Sequence, residues 1–127
     1  MTDQIIIEVP NVEWLSANDR VQHWAYRAYR TKELRTRGYW AAKQAHLGSH
    51  QVVHVAAWIQ YPRGGRADPA NAAPTVKALV DGLVDAGMLP DDDSTHLVGP
   101  DYRREPGCSP KGTHRIRLVI TQQEVSF

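Results

Sequence analysis

The chain has little cysteine and no long run of apolar residues. Cys108 is the only cysteine among 127 residues, so neither an internal disulfide nor a cysteine-based zinc site is expected. No segment has the roughly 20 consecutive apolar residues of a transmembrane helix, and the first residues lack the basic and apolar regions of a secretory signal. We therefore expect a protein of the reducing cytoplasm with no membrane partner.

The chain also lacks a strong net charge. The formal net charge is +1, with 42% hydrophobic and 23% charged residues, which is typical of a globular domain. The small net charge results from an uneven distribution of charged residues, because acidic residues gather between positions 81 and 93 while basic residues lie elsewhere. We expect one domain over residues 1–127, long enough to bury a core.

Hydrophobic periodicity predicts an α+β fold with the order strand, helix, strand, helix, strand, strand. Strands are expected at 4–9, 51–61, 95–98 and 113–122, and residues 99–112 are expected to form a loop. Helices are expected at about 20–47, beginning at the capping residues 16–19, and at about 73–86. Gly38 could split the first helix. We expect a small mixed β-sheet, its last two strands antiparallel neighbours, with two or three packed helices.

The second predicted helix is amphipathic and ends in acidic residues. Pro74 suits its first turn, and Gly87 suits the left-handed position beyond its end. Its apolar stripe consists of Val76, Leu79, Val80, Leu83 and Val84. Three aspartates, 91–93, then repel one another and the helix dipole. A hard divalent cation such as Mg²⁺ would relieve this repulsion, but the triplet alone favours a solvated acidic turn, because acidic turns are common.

The first predicted helix is rich in basic and aromatic residues. Interleaved bases and aromatics are the expected footprint of a phosphate-binding surface. We expect the Trp and Tyr rings to pack in the core, and the basic side chains to contact DNA because few acids are near them in sequence. The loop 62–66 is basic and glycine-rich but lacks the ending of a nucleotide-binding P-loop, so no nucleotide cofactor is expected. The candidate DNA contacts are Arg20, Arg27, Arg30, Lys32, Arg35, Arg63 and Arg66.

The stretch 66–93 resembles the RusA family of Holliday junction resolvases. That family has a D-x-D-N loop, a helix with a lysine and a D-A-L-like segment, and a closing D-D pair. Here Asp68 matches the first loop aspartate, Lys77 the helix lysine, Asp81 the D-A-L segment, and residues 91–92 the closing pair. The loop differs, since it reads D-P-A-N and places Asn71 near the missing carboxylate.

The resemblance implies a Mg²⁺-dependent endonuclease that cleaves four-way junctions or other branched DNA, with Mn²⁺ as a substitute metal. It implies Asp68, Lys77 and Asp92 as catalytic residues, and a metal held by Asp68, Asp92, Asp91 and Asn71. Lys77 would stabilise charge on the phosphate or the leaving oxygen, whereas an ordinary surface pair with Asp81 is the alternative. A junction-binding protein that does not cut, and a metal-binding accessory protein, remain open as alternatives.

A homodimer is also expected, because the resemblance implies paired cuts on symmetric strands. A helix over residues 73–86 separates its ends by about 20 Å, so Asp68 and Asp92 meet only if the flanking segments fold back. A composite site, with Asp68 of one subunit beside Asp92 of its partner, is the other solution. The resemblance places such a protein in a bacterial cell, encoded by the chromosome or by a phage.

Overall fold

The structure is a computed structural model that describes residues 2–19 and 23–123. The strands are β1 (Thr2–Pro10), β2 (Val53–Gln60), β3 (Leu97–Arg104) and β4 (Thr113–Gln122), and the helices are α1 (Trp24–Gln44) and α2 (Ala73–Asp85). Two short 3₁₀ helices lie at Asn11–Glu13 and Pro69–Ala72. The α+β fold and its element order are confirmed.

The four strands form one mixed sheet in the order β1-β4-β2-β3. β4 runs antiparallel to both β1 and β2, and β2 runs parallel to β3. The prediction that the last two strands pair with each other is therefore wrong. β4 takes an interior position because its core-facing apolar residues alternate regularly and it contains no proline. β3 contains Pro100, which cannot donate a hydrogen bond to a neighbouring strand and therefore suits an edge.

β3 is also longer than expected. It was predicted to stop at residue 98, but it continues through Gly99 and Pro100 to Arg104. Its pairing with β2 shifts register between His54 and Ala56. This shift accommodates Gly99 and Pro100, which the sequence analysis assigned to a loop.

One face of the sheet carries the core. Val53, Val55, Ala57 and Ile59 of β2 are fully buried, as the predicted alternation requires. The same face includes Ile116, Leu118 and Ile120 of β4, together with Ile5, Ile7 and Val9 of β1. α2 covers this face with most of its predicted stripe, since Val76, Leu79, Val80 and Leu83 are also buried.

Two glycines set the distance between the helices. Gly38 does not break α1, which is continuous through it. A Cβ at Gly38 would overlap the backbone oxygen of Leu79, and one at Gly82 would overlap that of Arg35. The helices therefore meet backbone to backbone, as glycine alone permits.

This close contact explains why the aromatic side chains of α1 do not pack in the core. The buried residues of α1 are Leu34, Gly38 and Ala42, and the backbone contact with α2 leaves no room for rings beside them. Trp24 is 76% exposed, and Tyr29 and Trp40 are 61% and 58% exposed. The prediction that these rings are buried is wrong.

The segment before α1 differs from the prediction as well. Residues 16–19 form a turn, in which Asp19 accepts a hydrogen bond from the Ser16 N–H, and α1 begins at Trp24 with His23 as its cap. Thr75 of α2 fixes this segment, because its hydroxyl accepts from Leu15 N at 2.9 Å and donates to Leu15 O at 2.8 Å.

No helix within the described residues is long and apolar enough to cross a membrane.

We expect Gly82→Ala to destabilise the fold by about 3 kcal/mol or more, because overpacking a rigid contact forces the backbone apart. Gly48→Ala is the matched control: nothing lies within 4 Å of a Cβ at that position, so its stability should be unchanged or slightly higher. Urea unfolding followed by circular dichroism measures both variants. Equal midpoints for Gly82→Ala and the wild type would show that the helices can separate freely.

Candidate metal and nucleic-acid site

The acidic loop after α2, which contains the aspartates 91–93, folds back along the helix. Lys77 and Asp81 lie one turn apart on the polar face of α2, with Nζ 3.4 Å from Asp81 Oδ1. The same Nζ lies 3.3 Å from Asp92 Oδ2. Lys77 precedes Asp92 by fifteen residues, so the ammonium group joins the exposed face of the helix to the loop beyond it.

Local backbone geometry produces this return. Gly87 has a φ of 103°, and the N–H of Met88 donates to Leu83 O at 3.1 Å, which ends the helix as glycine caps commonly do. Met88 and Leu89 are then buried in the core. Asp91 Oδ1 accepts from the N–H of Asp92 at 2.7 Å, which shapes the loop.

The contact between Asp81 and Asp92 makes their titration unequal. Burial raises the pKa of Asp81, and its hydrogen bond with Asp92 adds to the rise. That hydrogen bond and the Lys77 ammonium hold the pKa of Asp92 below its usual value. Partial burial opposes the charge on Lys77, but the two carboxylates together raise its pKa. The pair therefore favours a state with one proton or one cation between its oxygens.

Asp68 and Asn71 form a second group at the start of α2. Asp68 Oδ1 accepts from the N–H of Ala70 at 3.0 Å and so caps the short helix Pro69–Ala72. The carbonyl of Asn71 accepts from Ala17 N at 2.9 Å. Both residues line a pocket of about 150 Å³, together with Trp14, Ser16, Asn18, Tyr61, Ala67 and Ala72.

An aromatic cluster that no sequence pattern indicated supports this pocket. Trp14 and His114 stack with ring centres 3.9 Å apart, and Tyr61 meets both rings edge-on. His114 Nδ1 lies 2.7 Å from Asn11 Oδ1. Burial lowers the pKa of His114 from its ordinary value of 6.5 to about 4.

The expected metal ligands thus fall into two groups, Asp68 with Asn71, and Asp91 with Asp92. Across residues 2–19 and 23–123, no three His, Cys, Asp or Glu side chains form a group that could hold a metal ion. Sequence reasoning matched Asp81 to the D-A-L segment and considered it as a surface partner of Lys77, but did not place it among the metal ligands, although its spacing of four residues from that lysine was the signal for a shared site.

The expected DNA-binding residues differ in their surroundings. Arg20 lies outside the described residues. Arg35 is bound by Asp85, with Nε–Oδ2 and Nη2–Oδ1 distances of 2.5 and 2.7 Å, and Arg30 pairs with Glu33 at 2.8 Å. The premise that few acids are available to pair with these arginines is therefore wrong for both.

The remaining candidate cations lie in two places. Arg27 and Lys32 belong to α1, where Lys32 is exposed and Arg27 is partly buried. Arg63 and Arg66 are exposed in the loop that leads to Asp68. This loop also contacts Arg104, a residue that the prediction omitted: its guanidinium donates to Gly65 O and lies over the Tyr61 ring.

A scan against protein-family models gives no match, and a search of curated proteins gives no relative. The resemblance to the RusA family therefore rests on the residues of this chain, and function is inferred from the chemistry of the two groups.

The half-buried His114 should make the fold sensitive to acid. A folded pKa of about 4 against 6.5 when unfolded means that the unfolded chain binds the proton more readily. Stability is therefore full above pH 6.5 and falls toward pH 4 by up to about 3 kcal/mol. We expect His114→Phe, which keeps a stacked ring, to show a smaller loss between pH 7 and pH 4.5 in urea unfolding.

The control for this measurement is His46→Asn, at an exposed residue with positive φ, where asparagine is tolerated. It should follow the wild-type pH profile. An equal acid loss in His114→Phe would assign the sensitivity to other groups.

Proposed function

We propose that the chain is a Mg²⁺-dependent endonuclease that cleaves four-way junctions or other branched DNA. The observation that carries the proposal is the fold-back of the acidic loop, which joins Asp92 to Asp81 and Lys77 on the exposed face of α2. Two carboxylates beside an ammonium group are suited to hold a hard cation and to stabilise negative charge on a phosphate.

The donor chemistry of this pair fits a divalent metal. Asp81 and Asp92 present carboxylate oxygens, Asp91 is adjacent, and the positive ammonium of Lys77 already lies near the same oxygens. These residues would hold Mg²⁺, or Mn²⁺ in its place. When bound, such an ion supplies an activated water and neutralises charge on the phosphate.

The other residues act around this pair. Lys77 would move from the carboxylates toward the phosphate or leaving oxygen, a short displacement for an exposed side chain on a flexible stem. Asp68 and Asn71 line the neighbouring pocket with oxygen donors at the start of α2. They complete the proposed site if the loop 61–68 closes toward Asp92 when DNA binds.

DNA would be held by the exposed cations near the two groups. Arg63 and Arg66 precede Asp68 directly, and the intervening glycines let the backbone approach phosphate closely. Lys32 is a further exposed cation, on α1. Arg30 and Arg35 contribute less in this view, because each already has a carboxylate partner.

A junction-binding protein that does not cut is the second candidate. The described residues bring no third carboxylate to the Asp81–Asp92 pair, and Ala70 stands where the resemblance implies the second loop aspartate. Under either candidate the expected setting is the cytoplasm of a bacterial cell, with a homodimer acting on the two symmetric strands of a junction.

We expect Asp92→Asn to abolish Mg²⁺-dependent cleavage of a labelled synthetic junction while keeping or tightening its binding. The substitution removes a metal ligand and also removes repulsion toward phosphate. Asp81→Asn should behave alike. Gel-resolved cleavage and a mobility-shift titration measure the two properties separately.

Asp85→Asn is the control for these variants, since this aspartate lies on the same helix but contacts Arg35 instead. It should cut normally and lose only about 0.2–1 kcal/mol of stability, as exposed ion pairs do. A wild-type protein that binds the junction and leaves it intact in Mg²⁺ and Mn²⁺ would favour the second candidate.

Junction affinity should fall steeply as salt rises, because phosphate contacts release counterions. Reversing Arg63 and Arg66 together to glutamate should remove about two units from the slope of log K against log salt. The double reversal of Lys43 and Lys111, two exposed cations away from the Asp68 loop in sequence, is the control. Equal slopes for the two double variants would remove the loop from the DNA surface.

A further inference from the structure

The pocket beside Asp68 has an aromatic wall and, among the described residues that line it, no cationic side chain. Trp14 and Tyr61 are its two rings. His114 is not part of the lining but stacks on Trp14, with ring centres 3.9 Å apart, and so holds the indole in place. The other lining residues are small or polar: Ser16, Asn18, Ala67, Asp68, Asn71 and Ala72. Because its one charged group is a carboxylate, the pocket suits a flat neutral ring better than a phosphate.

Polar atoms around the pocket can form further hydrogen bonds. The Ser16 hydroxyl accepts from the N–H of Asn18 at 3.1 Å, and residues 2–19 and 23–123 provide no acceptor for its own hydrogen. Asn71 accepts from Ala17 N through its backbone carbonyl, which leaves its side-chain amide available. Amide and hydroxyl groups both donate and accept, and the edge of a nucleobase presents the same mixture of donors and acceptors.

Cationic side chains lie next to the pocket. Arg66 is exposed and directly precedes the lining residue Ala67. The guanidinium carbon of Arg104 lies 5.3 Å from the centre of the Tyr61 ring, and the same group donates to Gly65 O. This contact joins the basic loop to the aromatic wall. A neutral pocket bordered by cations matches a nucleic-acid strand, in which each neutral base is flanked by charged phosphates.

We propose that this pocket binds one unpaired nucleobase of the DNA substrate, stacked on Trp14, with the neighbouring phosphates at Arg66 and Arg104. A base inside a duplex cannot enter, because adjacent base pairs cover its faces. At a branch point, pairing and stacking are already weakened, so less energy is needed to release a base. The pocket therefore favours branched DNA over an unbroken duplex. Base binding rests on the proposed action on DNA, but it needs neither a metal nor cleavage.

A junction with one unpaired thymidine at its branch point tests base binding without Mg²⁺ or Mn²⁺. The comparison junction carries an abasic residue at the same position, and the position is moved in turn to each nucleotide that flanks the branch point. We expect the wild type to bind the thymidine junction about 10-fold more tightly at one of these positions, as stacking of one base on an aromatic ring implies. A mobility-shift titration measures both dissociation constants.

Two variants remove the pocket in different ways. Trp14→Ala removes the ring on which the base stacks, whereas Ala67→Leu fills the pocket and keeps the ring. Each should bind the thymidine and abasic junctions equally. Circular dichroism melts check that both are folded. Ala67 is a partly exposed loop residue, so Ala67→Leu tests the pocket even if Trp14→Ala unfolds.

Trp40→Ala is the matched control, because this tryptophan is exposed and lines a separate groove between β1 and α1. It should keep the 10-fold preference. A wild type that binds the two junctions equally at every position would overturn the proposal, as would a preference that persists in Ala67→Leu. Displacement of the junction by micromolar thymidine monophosphate would also overturn it, since the pocket would then bind free nucleotides.

The outcome for base binding is separate from the outcome for cleavage. A junction that is cut in Mg²⁺ but shows no thymidine preference would remove base binding and leave the nuclease proposal standing. A thymidine preference without cleavage in Mg²⁺ or Mn²⁺ would support base binding and remove the nuclease. A chain that bound no junction would overturn both.

Discussion

The backbone contact between α1 and α2 is the constraint on which the rest of the structure depends. Because Gly38 and Gly82 leave no room for a Cβ between the helices, the backbones of α1 and α2 are in contact, and this contact fixes the rotation of α2. That rotation buries Leu79 and Leu83 and turns Lys77 and Asp81 outward. It also brings Arg35 to Asp85, whose pKa falls mainly through that hydrogen bond. The position of the candidate site follows from a contact made of two glycines.

The elements with strong local patterns could be predicted from the sequence. β1, β2, β4 and α2 were found within a few residues, because their apolar spacing reports which face is buried whatever lies next to them. Strand order could not be predicted in this way. It depends on which strand tolerates an edge, and Gly99 and Pro100 indicated a loop before they indicated an edge strand.

The candidate site was only partly visible in the sequence for a similar reason. The spacing of Lys77 and Asp81 is local, so their contact could be expected, but the return of Asp92 to the same lysine depends on burial of Met88 and Leu89. For the aromatic rings of α1, the prediction was wrong in the opposite sense, because it expected contacts that the structure does not have. Trp and Tyr usually pack in cores, but here a helix interface built on glycine had no space for them.

The exclusion of these rings from the helix interface has a consequence at the edge of the sheet. Tyr29 and Trp40 cannot pack against α2, so they lie over the groove beside β1. Covering the exposed half of one such ring is worth about 2–3 kcal/mol. The backbone contact that turns Lys77 and Asp81 outward therefore also leaves two large rings exposed beside β1.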